Sequence, residues 1–325
     1  MNSVSFPAWL LPYGPLVPLE SLVEQINNIY HSFNAGNYDA EHREITLLWP
    51  GLWRQMMRQL PERKCWRVLD FGCGTGFAAE QLLQTLGPNI DVLMAYDPSP
   101  EMLDQSRLRL QGGRKAIFSD KLPIVREHGP YNLLITNSVL HHLADIQGAV
   151  SNLNADLSDD AYWLTGNEPS VSFYKNGECI HLFEEYSKYR WRTKWFELSS
   201  YTAKLRKMLG RHTLSATASA SVERGLFARR PSHTVIDRLV DFHVAHSADE
   251  VAAGRGLDLA KMQTAFTPQW KLLWSTTYSF LGFFSEMTAP QKWRDKAGLL
   301  KERFPSDGAN FCAVWSRPAQ NRTQS

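Results

Sequence analysis

The stretch Val68-Leu69-Asp70-Phe71-Gly72-Cys73-Gly74-Thr75-Gly76 decides the fold reading of this chain. Its first half is a short apolar run that carries a carboxylate, and its second half sets glycine at every other position. An apolar run closed by glycines reads as a buried strand handing over sharply to a helix. Glycine lets the backbone turn and approach a ligand with no Cβ in the way. Phe77 stands where a dinucleotide fingerprint would place its third glycine, so the pattern is GxGxG rather than the dinucleotide form. Asp97, 21 residues beyond Gly76, closes the next apolar run. A carboxylate there has the geometry to accept hydrogen bonds from both hydroxyls of a ribose.

Working outward, short apolar runs alternate with helical segments. The runs are Arg67–Phe71, Asp91–Tyr96, Ala116–Phe118, Tyr131–Thr136 and Tyr162–Thr165. Between them the pattern predicts helices over Ala78–Leu86, Pro100–Leu110 and Leu143–Leu157. Such alternation implies crossover connections and an α/β fold: a doubly wound, mostly parallel, Rossmann-like sheet. Upstream, Leu19, Leu22, Val23, Ile26, Ile29 and Tyr30 keep the spacing of a one-sided helix. Pro50-Gly51 predicts a break, with a second helix over Leu52–Leu60.

After the fifth strand the alternation stops. Residues 167–255 read as a helical insertion, interrupted by the small-residue stretch Ser215–Ser221. A helix over Leu257–Phe266 and strands over Trp270–Tyr278 and Asn310–Trp315 then resume the core pattern. The expected organisation is an N-terminal helical cap (1–59), a core (60–166), the insertion as a lid (167–255), the rest of the core (256–317) and a tail (318–325).

The 325 residues are 43% hydrophobic and 21% charged, which excludes a disordered chain. A formal charge of +2 speaks against a general nucleic-acid binder. No apolar run approaches the length of a bilayer span, and the Pro-rich start lacks a basic n-region. Cys65, Cys73, Cys179 and Cys312 form no CxxC pair and read as reduced thiols of a cytoplasmic protein. The overall charge is a cancellation. From Lys188 to Arg230 eleven Lys/Arg face two Glu, with Tyr189, Trp191, Trp195, Phe196 and Tyr201 interleaved. That segment suits a lid with its charges in water, an RNA-docking surface, or a protein interface.

The glycine run, with Asp97 and Asp120, resembles the class I S-adenosylmethionine-dependent methyltransferases over about Arg67–Thr165. The resemblance implies S-adenosylmethionine as cofactor, with Asp70, Gly72, Cys73, Gly74 and Gly76 around its methionine part. It implies Asp97 at the ribose, Pro98 and Met102 around the adenosine, and Asp120 and Lys121, in Ser119-Asp120-Lys121-Leu122-Pro123, near the adenine. Asn137 opens Asn137-Ser138-Val139-Leu140-His141-His142-Leu143, which looks like the segment after the fourth strand in small-molecule members. Tyr30 and Tyr38 lie where the N-terminal segment of similar enzymes folds over the cofactor.

The acceptor is then a small molecule, with oxygen, nitrogen, sulfur and carbon all open as the accepting atom. His141 and His142 at the sheet's ligand-binding edge are candidate general bases, because imidazole titrates near neutral pH. Glu168 leaves the fifth strand on the same edge, its direction restricted by Pro169. It is a candidate base or substrate-orienting group. No metal site is expected: His243 and His246 are three apart with no third ligand nearby. An RNA methyltransferase docking through residues 188–230, and a non-catalytic cofactor-binding scaffold, stand as the alternatives.

Overall fold

The computed structural model describes residues 6–42, 47–111, 116–194, 200–282 and 286–317, without the side chains of 41, 194 and 200–211. Seven strands form one sheet: β1 (Trp66–Phe71), β2 (Ile90–Tyr96), β3 (Ala116–Ser119), β4 (Tyr131–Asn137), β5 (Leu157–Pro169), β6 (Lys271–Tyr278) and β7 (Asn310–Ser316). Their order is β3-β2-β1-β4-β5-β7-β6. The first five strands run parallel, and β7 is antiparallel to both β5 and β6. The strand order reverses between β1 and β4, and doubly wound sheets bind ligands in the crevice at such a point.

The longer helices are α1 (Leu19–Asn34), α2 (Trp49–Met57), α3 (Phe77–Leu86), α4 (Pro100–Arg109) and α5 (Ile146–Leu153). They continue with α6 (Gly177–Lys194), α7 (Ser200–Glu223), α8 (His233–Val240), α9 (Leu259–Phe266) and α10 (Gln291–Arg303). Successive strand residues point to opposite faces, and both faces are covered, so the central strands are apolar throughout. Val68, Leu133, Ile135, Leu164 and Val314 pack with α2 and α3 on one face. Leu69, Leu134, Trp163, Ala313 and Trp315 pack with α5 and α9 on the other. Trp163 and Trp315 stack with centroids 5.7 Å apart. Their indole N–H groups are satisfied by Thr136 and Thr165 in neighbouring strands.

The insertion divides between two further cores. Cys179, Leu182 and Tyr186 of α6 pack with Trp293, Ala297 and Leu300 of α10. Ala218 of α7 and Val235, Ile236 and Leu239 of α8 pack instead on Leu22, Val23, Ile26 and Ile29 of α1.

Several boundaries differ from the sequence reading. Strand β5 runs on to Pro169, because Glu168 and Pro169 still pair with β7. Pro50 and Gly51 do not break the chain but lie inside α2, where Pro occupies the first turn and no intrahelical donor is lost. The helix expected over Leu143–Leu157 is shorter. A 3₁₀ turn at Leu140–His142 precedes α5, whose N-cap Asp145 accepts from the Gly148 N–H. The small-residue stretch Ser215–Ser221 lies within the unbroken α7. Thr217 and Ser221 return their hydroxyls to carbonyls one turn back, and with Ala218 they are buried. Small side chains there let α7 approach α1 closely.

Candidate functional site

A cavity of about 460 Å³ opens at the carboxyl ends of β1, β2 and β4 and is roofed by α1. Its size is that of a small-molecule site. Gly72, Cys73, Gly74 and Thr75 form one wall, with Asp97, Pro98 and Met102 beside them and Asn137, Ser138, Val139 and His142 beyond.

The glycines in the loop have different duties. Gly76 has φ +83°, and a Cβ there would lie 2.6 Å from Ser106 Oγ and 3.2 Å from Ser106 Cα. It lets α3 and α4 come together. Gly74 has φ +52°, and a Cβ there would meet no protein atom within 4 Å. Its missing side chain leaves room on the cavity side. The Gly74 N–H donates to Asp97 Oδ2 at 2.8 Å and the Ser99 N–H to Oδ1 at 2.9 Å. Asp97 thereby ties the end of β2 to the glycine loop. Burial pushes its carboxyl up to about 6, and those two N–H donors offset part of the rise.

Asp70 lies one layer behind, fully buried, with neither carboxylate oxygen in a hydrogen bond of good geometry. Burial, aided by the Asp97 charge, pushes it up to about 7. Cys73 lines the cavity, and burial raises its thiol well above the ordinary range. Phe77, in the place of the absent third glycine, also lines the cavity and packs edge-on against Trp49 and Trp53.

Asp120 and Lys121 do not join this wall; both are exposed. The Ser119 hydroxyl takes the Lys121 N–H and donates to the Lys121 carbonyl, which turns the chain away at the end of β3. Leu122 and Arg126, from the short helix that follows, line that end instead. Asn137 does line the cavity, and its carbonyl oxygen accepts from the Trp53 indole at 3.2 Å. Just past it Ser138 (φ +57°), and beside it Asn167 (φ +52°), adopt left-handed backbone at the ends of β4 and β5. Side chains with that backbone are uncommon and cluster at ligand sites.

The three catalytic candidates separate. His142 lines the cavity, whereas His141 and Glu168 lie behind it. Glu168 is fully buried; its carboxylate accepts the N–H groups of Val139, Leu140 and His141 and contacts His141 Nδ1 at 2.7 Å. With its acceptor positions filled and no exposed surface, Glu168 fixes the turn after β4 and is not placed to meet a substrate. Burial pushes Glu168 up to about 8 and His141 down to about 4. The 2.7 Å contact is a hydrogen bond between the two side chains. Burial, then the neighbouring His141, hold His142 well below the ordinary histidine range.

The roof contributes residues that a motif scan does not find. Glu20, Glu24, Asn27, Asn28 and His31 of α1 face the cavity. Their spacing repeats at helical intervals opposite the apolar stripe, which is the one signal in the sequence that marks them. Tyr38 lines the cavity as well, but Tyr30 packs into the α1–insertion core. Two polar clamps hold the roof down. Ser32 donates to Glu101 at 2.6 Å and contacts the Ser99 hydroxyl. Asp39 accepts from Thr75 of the glycine loop at 2.8 Å and pairs with Arg109.

A family model described as a methyltransferase domain matches residues 69–162. Residues 69–162 are thus similar to a methyltransferase domain. Over 154 residues the chain is 30% identical to a trans-aconitate 2-methyltransferase of Rhizobium leguminosarum bv. trifolii, covering 46% of this chain and 56% of that one. Over 98 residues it is 28% identical to a malonyl-[acyl-carrier protein] O-methyltransferase of Bacillus anthracis, covering 30% of this chain and 36% of that one. The chain thus spans about half or less of the length of these curated relatives. Among solved structures, the plantazolicin methyltransferase BpumL with bound SAH aligns at a TM-score of 0.42 and 13% identity, over 92% of this chain and 98% of that one. The matched segment supplies the floor of the cavity. The roof helix and the whole of the insertion lie outside residues 69–162.

No described helix is long and apolar enough to cross a membrane. Of the basic insertion, 195–199 and the side chains of 194–211 lie outside what is described, Trp195, Phe196 and Tyr201 among them. No described residue between 188 and 230 lines the cavity.

Proposed function

We propose that this protein transfers the methyl group of S-adenosylmethionine to a small-molecule acceptor in the cavity between the glycine loop and α1. The observation that carries the reading is the joint placement of Gly72–Thr75, Asp97, Pro98 and Met102 on one wall of a small-molecule-sized cavity. In this reading the carboxylate of Asp97 holds the ribose, Gly74 leaves space for the methionine part, and Leu122 and Arg126 flank the adenine. Methyl transfer is a displacement, so the protein's largest contribution is alignment of donor and acceptor, worth about 7–11 kcal/mol.

The acceptor end is formed by His31, Tyr38, Trp49, Asn137 and His142. His142, unprotonated at neutral pH, is the residue placed to take a proton from an acceptor hydroxyl or amine. By their names, the relatives act on trans-aconitate and on a malonyl group held by an acyl-carrier protein. The lid role passes to α1, which the insertion helices α7 and α8 brace from behind. Arg126 is the one Lys or Arg on the described cavity wall, against Glu20, Glu24, Asp145 and Asp156. That balance does not favour an RNA phosphate backbone at the cavity.

The reading is tested by incubating the full chain with methyl-labelled S-adenosylmethionine and metabolite extracts, then RNA. Label in a small molecule supports it. Label found in RNA alone, or bound cofactor with no acceptor of any kind, would overturn it.

A further inference from the structure

Around His142 the chain gathers donor atoms of which the methyl-transfer reading uses only His142 itself. His141 and His142 come from the 3₁₀ turn after β4, and Asp241 follows directly on α8. One ligand atom from each lies within 4.8 Å of the others. The three residues are 99 or more positions apart across the two groups, so only the fold unites them.

The hydrogen bonds around them fix which nitrogens are available. His142 Nδ1 lies 2.5 Å from the Val240 carbonyl oxygen. A carbonyl only accepts, so Nδ1 carries the proton and Nε2 keeps its lone pair. His141 Nδ1 meets the Glu168 carboxylate at 2.7 Å. A cation at its Nε2 would favour the arrangement in which Nδ1 carries the proton of that hydrogen bond. Imidazoles that ligate a metal typically donate their other N–H to a carboxylate or a backbone carbonyl. Both patterns occur here side by side.

Asp241 faces this pair without bonding to it. Its Oδ1 is 3.9 Å from His141 Nε2 and 3.9 Å from His142 Nδ1. Those distances are too long for hydrogen bonds. Donors sharing a tetrahedral zinc-sized ion stand ~3.3 Å apart, so a small rotation of Asp241 would close the His141 Nε2–Oδ1 pair, while His142, whose Nδ1 faces Asp241, must turn its ring to bring Nε2 to the same point. His31, from the cavity roof, packs its ring against His142 with centroids 5.1 Å apart. Its Nδ1 is buried with no hydrogen-bond partner. A further uncommitted imidazole nitrogen thus borders the same place from the cavity side.

We propose that His141, His142 and Asp241 form a binding site for a divalent transition metal of the zinc and cobalt class, open toward His31 and the cavity. Two imidazoles and one carboxylate with an exchangeable position is the donor set of catalytic rather than structural sites. Asp241 is about one-third exposed, which supplies an entry path. The binding can be measured without methyl transfer, but an ion on His142 Nε2 would occupy the lone pair that the base role uses, so the two roles of His142 exclude one another. That such an ion would polarise an acceptor oxygen rests on the function proposed above.

The test is titration of the full chain, first stripped with a chelator, with Co²⁺ alone. One equivalent should bind with visible d–d absorption, and Zn²⁺ should displace it. Asp241→Asn and His142→Ala should each weaken Co²⁺ binding at least tenfold, while His246→Ala leaves it unchanged. Near-ultraviolet circular dichroism verifies the fold of each variant. If His142→Ala does not fold, the isosteric Asp241→Asn decides. Absence of a bound equivalent, or unchanged affinity in Asp241→Asn, overturns the site. A protein that binds Co²⁺ but not S-adenosylmethionine would keep this inference and refute the functional reading.

Discussion

The two sides of the cavity are built differently. The floor comes from one continuous piece of chain between Asp70 and Met102, and its polar contacts run largely through backbone N–H groups, as at Gly74 and Ser99. The roof and the histidine cluster come from α1, the turn after β4 and the end of α8, joined by side chains from distant positions. Backbone recognition confined to a few neighbouring residues leaves a spacing pattern. Side-chain recognition assembled by tertiary packing does not. The same contrast appears in electrostatics: burial raises the carboxylates of the floor and lowers the imidazoles of the far side.

The largest effect should come from loosening the roof. Ile26 is fully buried between α1 and the insertion helices. Ile26→Ala should cost about 2–5 kcal/mol of stability, the range for a buried large-to-small change. Chemical denaturation measures this, and a cost near zero would show that α1 is not held by that core.

The floor should break by a different route. Gly76→Ala sets a side chain on left-handed backbone and against Ser106, and should cost about 2–4 kcal/mol. Gly74→Ala meets no protein atom, so its stability cost should be only about 1–2 kcal/mol, with the damage falling on cofactor affinity. Melting curves beside binding isotherms separate the two. Equal stability losses would contradict the division of labour between the glycines.

The smallest effect is in pH dependence, where the two sides should carry opposite signs. Unfolded histidine takes up a proton below about 6.5, whereas His141 resists until about 4, so this group costs stability as pH falls through that window. Asp97 binds its proton at about 6 in the fold against 3.8 unfolded, so it costs stability as pH rises through that window. Between pH 4 and 7 the Asp97→Asn variant should therefore lose a slope on the order of 2–3 kcal/mol. Parallel urea-unfolding profiles for variant and wild type would show that Asp97 is not desolvated in the fold.

Much of the fold was legible because its signals are local. The alternation from Arg67 to Thr165 marked five parallel strands, and the glycine run with Asp97 marked the floor. Misjudged boundaries had tertiary causes. Glu168 and Pro169 stay in β5 because β7 pairs with them, and Ser215–Ser221 stays helical because α1 packs there. Asp120 and Lys121 matched by position, yet the Ser119 turn sends them outward. His31 and Asp241 carry no motif at all. Only the packing of the insertion on α1 brings them to the cavity and the histidine pair.

The central claim is that the floor is a cofactor site anchored by Asp97, and calorimetry tests it most directly. S-adenosylmethionine titrated into the full chain should bind once, and Asp97→Ala should weaken that binding by about 1–3 kcal/mol, the cost of losing charged hydrogen bonds. No binding to the wild type, or equal affinity in the variant, would contradict the account.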